Sequence, residues 1–175
     1  MNVDHVIQLT SYCINFDYNK DVSIKEEALQ MAEQTFQIHS TSEGMKSNIE
    51  AGKHNVTIDE PASMGGTDQG ADPLATLLGS LAGCETVIAN MVAKEMDFDL
   101  KDITFDIKGS LDPRGLMGTE GVRPYFQTVE IHAKVNTSES QERVEELQRI
   151  TDERCPVYTT LAAADVEMKA NWEKA

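Results

Sequence analysis

The sequence predicts one α+β domain, and three observations carry that prediction. Apolar and polar residues alternate over 103–107, 129–135 and 166–172, the period of half-buried strands. Between Pro73 and about Met96, Leu74, Leu77, Leu78, Leu81, Ile88, Met91 and Val92 recur at helical spacing. A second helical pattern, Val144, Leu147 and Ile150, separates the last two strands.

In chain order, residues 1–20 mix both periods and receive no assignment. Ser23 followed by Glu26 is a capping box, with Ile24, Ala28, Met31 and Ala32 at helical spacing behind it, so a short helix is expected over 23–34. Residues 1–34 thus form an N-terminal extension with a short helix, and 35–175 form the main domain. Phe36 and Ile38 begin a strand pattern, Val56 and Ile58 mark another, and Gly44 and Gly52 are the expected turns. The stretch DEPASMGGTDQGADP is a loop that ends with Asp72 as N-cap and Pro73 at the first helical position.

The helix that follows is expected to be buried on much of its circumference. Gly79, Ser80, Ala82 and Gly83 would weaken an exposed helix, so either another backbone packs closely against that turn or the small residues give a substrate access to it. After the strands at 103–107 and 129–135, Ser138 and Gln141 form a capping box for a helix ending near Arg154, where Cys155 and Pro156 interrupt it. Val166, Met168, Ala170 and Trp172 make the last strand. The expected order is β, β, α, β, β, α, β with largely antiparallel strands.

The chain's 175 residues suit one core that needs no covalent staples. Three cysteines, an odd and sparse set, read as reduced thiols, and no basic start followed by an unbroken apolar run appears, so a cytoplasmic protein without a membrane span is expected. A formal charge of −15 repels nucleic-acid backbones and anionic membrane surfaces. His39, His54 and His132 are spread over three expected strands without ligand spacing, which argues against a zinc site.

The chemistry concentrates in two cysteines. Cys84 lies in the apolar run LATLLGSLAGCETVIANMVA, and Cys155 lies in the helix break ERCPVYTTL. A thiolate, not a thiol, is the nucleophile, and folding can bring two such distant residues together as a reactive pair. A free cysteine serves as readily as a small buried apolar side chain. Cys155 also precedes a possible short helix whose first N–H groups would favour its thiolate. Glu85 projects about 100° around the helix from Cys84, and its charge would disfavour a thiolate unless it is turned away or paired.

DEPASMGGTDQGADPLATLLGSLAGCE resembles the first signature of the OsmC/Ohr family, and ERCPVYTTL resembles its second. The resemblance covers about residues 35–175. It implies an OsmC-like fold, with largely antiparallel sheets wrapped around two long central helices in an intertwined homodimer. It further implies a thiol peroxidase acting on organic hydroperoxides, with Cys84 as the peroxidatic and Cys155 as the resolving cysteine. No cofactor is implied beyond an external dithiol reductant such as a lipoyl group or thioredoxin. Ohr-like members carry a glutamate, where this chain has Leu74, that positions a catalytic arginine; here the first 113 residues contain no arginine. Lys46, Lys53, His54, Arg123 and Arg154 are the cations left to replace it. The alternative is a family member without peroxidase turnover that binds a small apolar ligand or senses redox state.

Overall fold

The computed structural model describes residues 34–175. Cys13 and, but for Gln34, the helix expected over 23–34 lie outside these residues. Two three-stranded sheets and the helices between them account for the rest.

The first sheet is an antiparallel meander of β1 (His39–Glu43), β2 (Lys46–Ala51) and β3 (His54–Ile58). Gly44 and Gly52 turn between the strands with φ of 62° and 63°, the left-handed region that glycine enters without a Cβ clash. Both turns match expectation, but β2 escaped the sequence reading, and Phe36 and Ile38 precede β1 rather than lie in it. Every β1 side chain is exposed, and the sheet contacts mainly its own strands.

The loop from Asp59 to Ala71 is tied into a compact knot. The buried Asp59 carboxylate accepts from the Thr67 hydroxyl at 2.6 Å and from the backbone N–H groups of Glu60, Thr67 and Gln69 at 2.9, 3.0 and 3.1 Å. These bonds, the Thr67 hydroxyl foremost, hold its pKa below the ordinary value. A Cβ at Gly66 would stand 1.8 Å from the Glu60 carbonyl oxygen, and one at Gly70 would stand 2.3 Å from that of Thr57. Gly66 and Gly70 of MGGTDQG therefore serve close backbone packing, whereas Gly65 serves a turn at φ of 92°.

From this loop, α1 (Pro73–Glu95) starts as the sequence predicts. Asp72 accepts from the N–H groups of Leu74 and Ala75 at 3.0 and 2.9 Å, and Pro73 occupies the first turn, where no N–H is needed. Only one stripe of α1 is buried: Leu81, Glu85, Ala89, Val92 and Ala93. The expected burial around most of the circumference is not found, since Leu74, Leu77, Val87 and Met91 are exposed. A Cβ at Gly79 or Gly83 would meet nothing within 4 Å, so no backbone of the described chain packs against that turn. At 23 residues α1 is long and apolar enough to cross a membrane, yet its buried stripe packs against the second sheet and two other helices.

The second sheet places β5 (Thr128–Thr137) between β4 (Leu100–Ser110), antiparallel to it, and β6 (Glu167–Lys174), parallel to it. A parallel neighbour requires a crossover. It is supplied by α3 (Gln141–Arg154) and α4 (Pro156–Ala163), while a single turn, α2 (Pro113–Leu116), lies in the β4–β5 connection. Ser140, not Ser138, caps α3, accepting from Arg143 N–H at 3.4 Å; the Ser138 hydroxyl instead donates to Asp99 at 2.6 Å. The core lies between sheet and helices. Ala133 and Val135 of β5 meet Ala89 and Val92 of α1 and Val144 and Leu147 of α3, with Trp172 edge-on to Phe105 at 5.5 Å, while Val129 and Ile131 join a second cluster with Leu81 of α1 and Leu161 of α4. Full burial of side chains of this size stabilises by about 1.5–3 kcal/mol each.

Two glutamines of α3 occupy the outer edge of β6. Gln148 bonds the Ala170 carbonyl and Trp172 N–H at 3.1 and 3.2 Å, and Gln141 bonds the Trp172 carbonyl and Lys174 N–H, both at 2.9 Å. The edge strand's free groups are thus satisfied by the helix that leads into the Cys155 turn.

Candidate functional site

The fold brings Cys84 and Cys155 into one apolar cluster, with Leu81, Phe126, Val129, Ile131, Leu161 and Val166 around them. Both thiols are free. Cys84 sits at the middle of α1 and is partly accessible, sharing the side of the helix with Leu77 and Met91, seven residues before and after it. Cys155 is fully buried. It ends α3 and caps α4: its N–H bonds the Thr151 carbonyl at 2.8 Å, and its Sγ accepts from Tyr158 N–H at 3.4 Å.

That helix start was expected to favour a Cys155 thiolate, and its N–H does act in that direction. Burial outweighs it and drives the thiol pKa well up, assisted by hydrogen bonding to Cys84 and by the negative charges of Glu85 and Cys84. Resting Cys155 is therefore a protonated thiol beside Cys84.

The sequence left the setting of Glu85 open. It lies on the buried stripe of α1 between Leu81 and Ala89 and is wholly inaccessible. Burial first, and the nearby Asp152 carboxylate second, raise its pKa to about 7. Burial likewise raises Asp152 to about 6, against the help of a 3.3 Å bond from the Gln148 amide. Neither oxygen of Glu85, nor Oδ1 of Asp152, has a partner in full hydrogen-bond geometry, although the Cys155 thiol is close enough to lower the Glu85 pKa as a donor does. Tyr158 completes the cluster, its pKa raised to about 12 by burial and then by the two carboxylates. A signal for Glu85 was available, because Leu81, Glu85, Ala89 and Val92 fall four, four and three residues apart. Asp152 had no such mark, for it reaches the site only when α3 docks on α1.

The cations considered as substitutes for the missing arginine are engaged elsewhere or exposed. Arg154 bonds Glu95 at 3.0 Å, Arg123 bonds Asp165 at 3.1 Å, and Lys46 meets Gln69 and Glu43 at 3.3 and 3.4 Å. Lys53 and His54 lie exposed at the β2–β3 turn. Among the described residues, the groups acting on Cys155, Glu85 and Asp152 are thiols, carboxyls, one amide and one N–H, with no cation. No group of three or more metal-ligating side chains occurs among them. A depression of about 260 Å3, lined by Ala75, Leu78, Gly79, Ala82, Phe105 and Ile107, opens beside the first half of α1.

The chain is similar to proteins of known family. A hydroperoxide reductase of Mycoplasma pneumoniae is 28% identical over 105 residues, 60% of this chain and 71% of that protein. Its counterpart in Mycoplasma genitalium is 29% identical over 115 residues, covering 66% and 79%. The fold matches that of an OsmC-like protein from Mycoplasma pneumoniae, with a TM-score of 0.70 at 21% identity over 82% of this chain and 99% of the other. It also matches an organic hydroperoxide resistance protein OsmC from Legionella pneumophila, at 0.64 and 21% over 81% and 98%. The model of the family described as OsmC-like protein matches residues 66–170, from the glycine loop through both thiols to β6, and the chain therefore belongs to the OsmC family.

Proposed function

We propose that this protein is a cysteine-based peroxidase that reduces organic hydroperoxides to alcohols through a Cys84–Cys155 disulfide. The observation that carries the proposal is the placement of an accessible thiol on α1 against a buried thiol at the α3–α4 break. The Cys84 thiolate attacks the terminal peroxide oxygen, the O–O bond breaks, and the departing alkoxide takes up a proton to become the alcohol. Cys84 is left as a sulfenic acid; Cys155 displaces its hydroxyl as water and closes the disulfide. An external dithiol, such as a lipoyl group or thioredoxin, then reopens it by exchange. The hydroperoxide reductase names of the Mycoplasma relatives favour this substrate class. The apolar depression beside α1 suits a bulky organic group better than hydrogen peroxide.

The working unit is a homodimer in the cytoplasm. In support, the sheet β1–β2–β3 is largely uncovered by the described residues of one chain, and the exposed face of α1 carries Leu74, Leu77, Val87 and Met91 beside Cys84.

Adding cumene hydroperoxide to reduced protein should consume two thiols, and mass spectrometry should find Cys84 joined to Cys155. Cys84→Ser should abolish peroxide consumption, and Cys155→Ser should stop at a sulfenic acid trapped by dimedone. No bond between the two residues in the wild-type protein would sink the two-cysteine cycle. The lack of a cation at the thiols among the described residues favours a second reading, a family member that senses redox state or binds an apolar ligand without turnover. Oxidation by peroxide that no dithiol reverses would mark that case.

A further inference from the structure

The two-thiol cycle leaves one cluster unused, the carboxyls of Glu85 and Asp152. Glu85 is fully buried with neither oxygen in hydrogen-bond geometry to any donor, and Asp152 Oδ1 is equally unpartnered. An ionised Glu85 would have no donor inside the core, and an ionised Asp152 beside it, which keeps only the Gln148 amide on Oδ2, would repel it. One proton held between them removes both penalties, because the protonated carboxyl then donates to the other. The raised pKa of each, to about 7 for Glu85 and about 6 for Asp152, agrees with that single shared proton.

The groups that face this pair come from each packed element. They are Glu153 and the Gln148 amide on α3, both acting on Asp152, Cys155 at the break, on which Cys84 of α1 acts in turn, and Tyr158 on α4. The strand beneath α1, β4, turns Ile103, Phe105 and Ile107 toward the core and holds Asp102, Asp106 and Lys108 outside. The Cys155 thiol is the donor that draws the Glu85 pKa downward. Cys155 therefore has an acceptor beside it at the moment it must lose its proton.

We propose that Glu85 accepts the Cys155 proton during disulfide closure, with Asp152 as its positioning partner. The step rests on the cysteine-pair reading above. The Cys155 sulfur attacks the Cys84 sulfenic sulfur, the S–S bond forms as the S–O bond breaks, and the Cys155 proton passes through Glu85 to the departing hydroxide, which leaves as water. The Cys155 sulfur is oxidised and the Cys84 sulfur is reduced, so no further oxidant enters.

The test isolates this step from peroxide. In full-length Cys13→Ser protein, Cys84 is converted to its mixed disulfide with thionitrobenzoate. Attack by Cys155 is then followed as thionitrobenzoate release between about pH 5 and about pH 9. The expected wild-type rate rises through neutral pH as the pair loses its proton. Glu85→Gln should slow release about tenfold or more at neutral pH and abolish that inflection. Asp152→Asn should keep the inflection but move it to lower pH, because the like charge that raises Glu85 is gone. That shift decides the matter even if the first variant does not fold. Wild-type rate and profile in Glu85→Gln, an unmoved inflection in Asp152→Asn, or no release from the wild-type protein would each overturn the proposal. Release through Glu85 in a protein inert to cumene hydroperoxide would instead overturn the peroxidase reading alone.

Discussion

Glu85 shows how one position acquires properties that its neighbours in sequence do not announce. In the unfolded chain it is an ordinary carboxyl near 4.5, and in the fold it is pushed to about 7. The native pair therefore binds a proton that the unfolded chain has released. This contribution to stability is fully present below about pH 4 and is lost as pH rises through about 7. Allowing for solvent screening, it amounts to about 2 kcal/mol. Urea unfolding should show stability falling from about pH 5 to about pH 8, and Glu85→Gln should flatten that fall. A second expectation follows from accessibility, since Cys84 is partly open and Cys155 is sealed. Iodoacetamide at neutral pH should alkylate Cys84 well before Cys155, as peptide mapping would show; equal labelling would contradict the placement of Cys155. Both cysteines were legible as candidates because their motifs are local. The buried pairing of Glu85 with Asp152 was not, because it joins residues on two helices.

Local chemistry also explains which elements could be read. The start of α1 was legible to the residue, since Asp72 and Pro73 satisfy a helix N-terminus by short-range contacts alone. Asp72→Ala should destabilise by about 1 kcal/mol, measured by thermal or denaturant unfolding. Strands β4, β5 and β6 were legible from alternation because one face of their sheet is buried. β2 was missed for the converse reason: its only apolar residues, Ile49 and Ala51, stand half-buried beside exposed Asn48 and Glu50, so its apolar alternation is short and weak. The loop before α1 reads as glycine-rich, but only the structure shows which glycines lack room. Gly66→Ala and Gly70→Ala would drive a Cβ into backbone rather than a yielding side chain. Each should cost about 1–3 kcal/mol or more, whereas Gly79→Ala, with open space around it, should be neutral or stabilising.

At the scale of the whole molecule, the uncovered faces matter most. α1 turns one stripe into the domain and leaves Leu77, Val87 and Met91 outside, on the side from which Cys84 is reached. If a second copy covers this face, Val87→Lys should shift the protein from dimer to monomer in sedimentation, with the second sheet's circular dichroism retained. A wild-type monomer would overturn that arrangement. The α+β class, the extent of α1, the helix break at Cys155 and the two thiols were legible in the chain alone, because periodicity, caps and short motifs are local properties. That β6 runs parallel to β5, that α1 is buried on one side alone, and that Glu85 and Asp152 meet beside Cys155 emerged only from packing. Those outcomes depend on how α1, α3 and the sheet dock, and burial acquires its energetic consequences only once distant segments are packed together.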